Sequence, residues 1–116
     1  MFQIELYELP NGIRPVEEFI KGLPIKMQVK AIDSISLLEE YGTKLRAPFS
    51  KSIGNGVFEL RIRFAADITR IFYFFYYDNK IVLTNGFIKK TQKTPRREIE
   101  KARKYKSDYE RRHSND

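Results

Sequence analysis

The chain contains no cysteine, which removes disulfide frameworks and thiolate metal sites from consideration and fits a reducing compartment. Histidine occurs once, as His113 in the basic C-terminal tail, where a solvated side chain is the expectation. Aspartate and glutamate are scattered and form no clustered set of the kind that holds Mg²⁺; no metal or cofactor is expected. Gly54-Asn55-Gly56 lacks the extended spacing and the lysine of a phosphate-cradling P-loop. No apolar run approaches the roughly 18 residues of a membrane span. Met1 to Leu9 carries Glu5 and Glu8 where a signal peptide would be apolar. A soluble, cytoplasmic protein without a membrane partner is expected. Internal repeats and low-complexity segments are absent, and 116 residues accommodate one domain, taken here as 1–116.

What is present is positive charge, unevenly spread. Residues 1–88 hold 11 Lys/Arg against 10 Asp/Glu, whereas 89–116 hold 11 against 5. A concentrated basic end suits a phosphate backbone, because neutralised phosphates release condensed counterions. A solvated basic helix or a surface for an acidic protein would show the same charge.

Periodicity orders the elements. Phe2 to Glu8 alternates apolar and polar and reads as a half-buried strand. Pro15 opens a short helix through Ile20, with Gly22 expected to close it in a left-handed conformation. Pro24 opens a second helix, whose apolar stripe is read as Ile25, Val29, Ile32, Ile35 and Leu38, ending at Gly42. Residues 49–53 suit a short edge strand. Val57 to Phe64 alternates, with Phe58, Leu60, Ile62 and Phe64 on one face and Glu59, Arg61 and Arg63 on the other. Residues 68–77 are apolar apart from Thr69 and Arg70 and read as a central strand covered on both faces. After Asp78-Asn79, residues 80–88 form the next strand. Thr94 is read as an N-cap and Pro95 as the first position of a final helix. Its stripe is Ile99, Ala102, Tyr105 and Tyr109, weakly anchored and frayed from about Arg111. The sum is an α+β fold with the helices on one face of a curved, mainly antiparallel sheet.

The unusual feature is arginine inside apolar strands. Arg61 and Arg70 either pair with Glu59 or Asp67 as structural ion pairs, or line an open concave face and grip phosphate with the guanidinium fork. Lys89, Lys90 and Lys93 follow on the loop into the last helix, and Lys51 adds a further amine. Such a set can cleave RNA without metal. The ribose 2′-hydroxyl attacks the adjacent phosphorus while arginines neutralise the growing charge and a lysine of lowered pKa moves a proton. Tyr73 or Tyr76 would stack on a base or donate a proton, the plainer alternative being core packing. RNA is favoured over operator DNA, since no helix-turn-helix is evident.

Gly56-Val57-Phe58-Glu59-Leu60-Arg61-Ile62-Arg63 and Thr69-Arg70-Ile71-Phe72-Tyr73-Phe74-Phe75 resemble the central strands of the RelE/ParE toxin superfamily. Asn85-Gly86-Phe87-Ile88-Lys89-Lys90-Thr91-Gln92-Lys93-Thr94-Pro95, followed by Glu98 to Ala102, resembles its phage-derived HigB-like branch. The resemblance implies a RelE-like fold and a type II toxin that cuts mRNA, commonly on the ribosome. It also implies a helix-turn-helix HigA-like antitoxin, as a heterotetramer or similar complex. In it Arg61 and Arg70 match the family's strand arginines and Lys89, Lys90 and Lys93 its basic loop, with Arg97 joining at the start of the last helix. With the residue-level reading, Arg61, Arg70, Lys89 and Lys93 are expected to be catalytic, and Lys51, Tyr73, Lys90 and Arg97 to bind RNA. The chain departs from members that carry protons on histidine and a C-terminal tyrosine, having no histidine near the expected site. Two other functions remain compatible with this fold: a ParE-like toxin that blocks gyrase, and a non-catalytic RNA- or protein-binding module.

Overall fold

The computed structural model describes residues 1–64, 67–77, 79–89 and 93–114, with backbone only for Phe64 and Asp67. The order is β1 (Gln3–Leu6), α1 (Pro15–Lys21), α2 (Ile25–Tyr41), a 3-10 turn (Gly42–Lys44), β2 (Ser50–Gly54), β3 (Val57–Phe64), β4 (Asp67–Tyr76), β5 (Lys80–Lys89) and α3 (Arg96–Arg112). The architecture is α+β. The strands form one sheet in the order β1-β5-β4-β3-β2. β2, β3, β4 and β5 run antiparallel to their neighbours, while β1 joins β5 in parallel. β4 is central, which is why its sequence is apolar on both faces.

The two faces are covered by different helices, contrary to the expectation of helices on one side only. Leu60, Ile62, Ile71, Tyr73, Ile81 and Leu83 pack with Val16, Leu23, Met27, Ala31 and Leu38 of the α1–α2 hairpin. The alternate residues Val57, Phe72, Phe74, Val82 and Phe87 meet Ala102 and Tyr109 of α3 on the other face. Each such aliphatic or aromatic side chain, fully buried, contributes roughly 1.5–3 kcal/mol.

The stripe read for α2 holds in its second half, where Ile35 and Leu38 pack into the core, and is rotated in its first. Ile25, Val29 and Ile32 are more than half exposed, and Met27, Ala31 and Leu38, with Ile35 beside them, face the core. Both sets recur at helical spacing, so periodicity alone did not choose between them. Gly42 does end α2, at φ +50°, and a Cβ there would run into the Phe2 ring. Gly22 caps α1 with a right-handed φ of −83°, not the left-handed geometry expected.

α3 is neither weakly anchored nor frayed at Arg111. The Tyr7 hydroxyl donates to Asp108 at 2.6 Å, Tyr109 donates to Glu5, and Arg112 reaches the Glu8 carbonyl at 2.7 Å. The expected stripe of Ile99, Ala102, Tyr105 and Tyr109 is the one that packs. His113 is not simply solvated: its ring stacks on Tyr109 at 3.9 Å, and its carbonyl accepts from Tyr76. Among the described residues no helix is long and apolar enough to cross a membrane.

Candidate active site

The β3–β4 register sets Arg61 directly opposite Arg70. Like charges in that position repel, so the pair needs an anion. Glu59 supplies it from two residues earlier on the same strand face. Its Oε1 lies 3.1 Å from Arg70 Nε and 3.4 Å from Arg61 Nε. The carboxylate is 1% exposed and Arg70 3%, whereas Arg61 opens towards solvent at 21%. The two arginines therefore do not line an open face together; one is buried and one borders the surface, with the anticipated ion pair between them.

That ion pair leaves a cation partly unsatisfied. The Nε of Arg70 is close to Glu59 without hydrogen-bond alignment, and its Nη1 has no hydrogen-bond partner among the described residues. Burial holds the guanidinium below the ordinary arginine value, Glu59 opposes that, and Arg61 and Arg63 reinforce it. An unpartnered buried donor costs about 1–3 kcal/mol. A buried donor of this kind calls for an explanation, and a bound water, an ion or a catalytic role each supplies one.

Three more elements deliver side chains to this face. Lys51 of β2 pairs in register with Glu59. Lys89, at the end of β5, stands opposite Ile68 and on the same face as Arg70. Its ammonium is held below the ordinary lysine value by burial first, then by Arg70, Arg61 and Lys51, with Glu59 working the other way. The expected lysine among crowded cations is thus present, although desolvation is the larger cause. Thr94, read from sequence as an N-cap, instead donates to Glu59 Oε2 at 2.9 Å; Pro95 occupies the cap position without a side-chain bond. Asn85 adds a second fastening by donating to the Glu98 carbonyl and carboxylate, both at 3.2 Å. The result is four cations, from Lys51, Arg61, Arg70 and Lys89, around one carboxylate, beside the start of α3.

The remaining candidates divide. Tyr73 is not available to a base: it is buried between Phe58 and Phe75 and its hydroxyl is bonded to Ser50. Its odd position on β4 turns it to the hairpin face, away from Arg70. Lys93 and Arg97 are exposed, on the loop before α3 and in its first turn. Lys90 lies outside the described residues, as do the side chains of Asp67 and Phe64. Reading the sequence treated Glu59 only as a possible structural partner and missed Thr94 and Arg63. The shared strand face of residues 59, 61 and 63 was the available signal for Arg63; nothing local links Thr94 to Glu59.

Much of the α3 charge is spent within the helix. Glu98–Lys101, Arg96–Glu100, Lys106–Glu110 and Asp108 with Arg111 and Arg112 are ion pairs three or four residues apart. Two clefts flank its C-terminal half, one beside β1 with Glu8, Arg14 and Arg112, the other between Leu9, Pro10 and Tyr105. Of the cations that line them, Arg14, Arg111 and Arg112 are paired with carboxylates. Among the described residues no group of three or more His, Asp or Glu side chains converges.

The family model for phage-derived protein Gp49-like (DUF891) matches residues 18–107. That span takes in every member of the cluster, from Lys51 to Thr94. No curated protein matches the chain.

Proposed function

The chain belongs to the phage-derived Gp49-like family, and on that premise we propose that it is an RNA-cutting toxin of a toxin–antitoxin pair, of the HigB-like kind. Family membership is consistent with a toxin of such a system. The endoribonuclease reading rests on one observation above the others: the buried Arg70, whose Nη1 has no partner among the described residues, set among Arg61, Lys51 and Lys89.

In this reading a phosphodiester docks against Arg61, which borders the surface, with the buried charge of Arg70 behind it. The 2′-hydroxyl attacks the phosphorus, the bond to the 5′-oxygen breaks, that oxygen takes a proton from solvent water, and the products are a 2′,3′-cyclic phosphate and a 5′-hydroxyl. Arg70 and Arg61 stabilise the charge that builds on the non-bridging oxygens. Lys89 in its neutral form takes the proton of the attacking hydroxyl, a role its lowered pKa favours. Lys51, Lys90, Lys93 and Arg97 hold the flanking phosphates, and salt weakens that hold. No step calls for a metal held by the protein. The substrate is mRNA, engaged on the ribosome in the cytoplasm, and the partner is a HigA-like helix-turn-helix antitoxin.

The test is induction of the chain alone in cells, followed by primer extension on abundant messages. New 5′ ends inside translated frames within minutes are expected. Growth arrest with intact messages would overturn the nuclease reading and favour a target such as gyrase.

A further inference from the structure

We infer that Glu59 is a positioning residue of this site: one carboxylate oxygen holds Arg61 and Arg70 side by side, and the other fastens the loop before α3 through Thr94. The inference rests on the nuclease reading above and adds to it a group that touches no substrate.

A carboxylate is chemically at odds with a phosphate site, because it repels the anion the cations attract. Stability does not explain its presence well either, since buried ion pairs are often no better than apolar packing of the same volume. What Glu59 supplies is arrangement. Arg61 and Arg70 face each other across the β3–β4 ladder and would splay apart without an anion between them. Glu59 takes both by their Nε sides and leaves Arg70 Nη1 without a partner among the described residues. Its second oxygen accepts the Thr94 hydroxyl from 35 residues away. One buried side chain thereby ties β3, β4 and the loop that carries Lys93 into a single geometry. Catalysis that depends on aligned charge is sensitive to displacements of this kind; an error of about 1 Å can cost on the order of 100-fold in rate.

The consequence is a separation of binding from chemistry. Glu59→Gln removes the site's negative charge while keeping its shape, so RNA should bind as well or more tightly. If Glu59 positions the arginines, kcat should nonetheless fall, by about 100-fold. If it were only a counterion for folding, kcat and KM would match wild type once corrected for the folded fraction.

The experiment is cleavage of a defined message on programmed ribosomes by the purified full chain, with folded fraction measured by circular dichroism. Glu59→Gln is compared with Thr94→Val, which loses only the hydroxyl, and with Thr94→Ser, which keeps it. We expect a large kcat loss with KM unchanged or lower for Glu59→Gln. A several-fold kcat loss is expected for Thr94→Val, with recovery in Thr94→Ser. Should Glu59→Gln fail to fold, the Thr94 pair decides. Wild-type kcat in the folded variants, or a rise in KM alone, overturns the inference while leaving the nuclease reading intact. Absence of cleavage by the wild-type chain overturns that reading itself, and the assignment of Glu59 with it.

Discussion

Removing Arg70 and Glu59 one at a time should destabilise the protein far more than removing them together. Breaking a buried ion pair from one side typically costs about 3–5 kcal/mol, because the remaining charge is left uncompensated. Two features lower that figure for Arg70→Met. Glu59 keeps Arg61 at 3.4 Å and Thr94 at 2.9 Å, and the unpartnered Nη1 of Arg70 is removed along with the charge. A loss of about 1–3 kcal/mol is therefore expected. Glu59→Gln leaves Arg70 buried beside the like charge of Arg61 and should cost more, about 2–4 kcal/mol. In the double variant Arg70→Met/Glu59→Gln neither charge is stranded, and the stability should return to within about 1 kcal/mol of wild type. The coupling energy would then be about 2–7 kcal/mol, from the upper end of values for directly interacting residues to beyond it. Urea unfolding followed by far-ultraviolet circular dichroism measures it, provided the m-value stays constant. Additivity of the two singles within about 0.5 kcal/mol would refute the coupling. Function separates from stability in the same set: the restored double variant should fold and yet not cleave RNA. Cleavage at the wild-type rate by that variant would refute the role given to Arg70.

Lys89 carries a pH signature. Its lowered pKa places the neutral, base form at lower pH than an ordinary lysine, so the cleavage rate should climb with pH to a limb below that ordinary value. Lys89→Arg, which stays charged, should lower the rate about 10²–10⁴-fold and abolish the limb; an unchanged profile would sink the assignment. Tyr73→Phe removes a buried hydroxyl bonded to Ser50 and should cost about 0.5–1.5 kcal/mol in a thermal or urea melt. RNA affinity should stay within about twofold; a larger loss would return Tyr73 to the interface. Asp108 is held below the usual carboxylate range, first by the Tyr7 hydroxyl and then by Arg112 and Arg111. A depressed folded-state pKa means stability that is present above the unfolded value of about 3.9 and is lost as pH falls through the folded one. Asp108→Asn should therefore be less stable than wild type by about 1.5–3 kcal/mol at neutral pH, with the two converging in acid. Tyr7, pushed up to about 12 by burial and by Asp108, remains a donor throughout that range. Urea midpoints at neutral and acid pH check the difference, and a constant gap would count against the pairing.

Much of the fold was legible in local pattern. The period-two alternation of residues 57–64 separated Leu60 and Ile62 from Glu59, Arg61 and Arg63 before any neighbour was known. The unbroken apolar character after Arg70 marked β4 as central, since a strand covered on both sides cannot alternate. The α3 stripe of Ile99, Ala102, Tyr105 and Tyr109 was likewise readable, because few other apolar residues compete on that helix. In the first half of α2 two sets compete, Ile25, Val29 and Ile32 against Met27 and Ala31, and Ile35 and Leu38 can continue either. Helical periodicity permits both, and only docking against β3 chose the second.

The candidate site divides along the same line. Sequence alone determined its ingredients, arginines within apolar strands and lysines around the turn into α3, because residue type and spacing are local properties. Tertiary structure alone decided their relations. It set Arg61 against Arg70 by strand register, carried α3 to the face opposite the hairpin, turned Tyr73 into the core, and brought Thr94 to Glu59. Contacts between residues far apart in the chain depend on how whole elements pack, and the free energy that settles the packing is shared among many distant side chains.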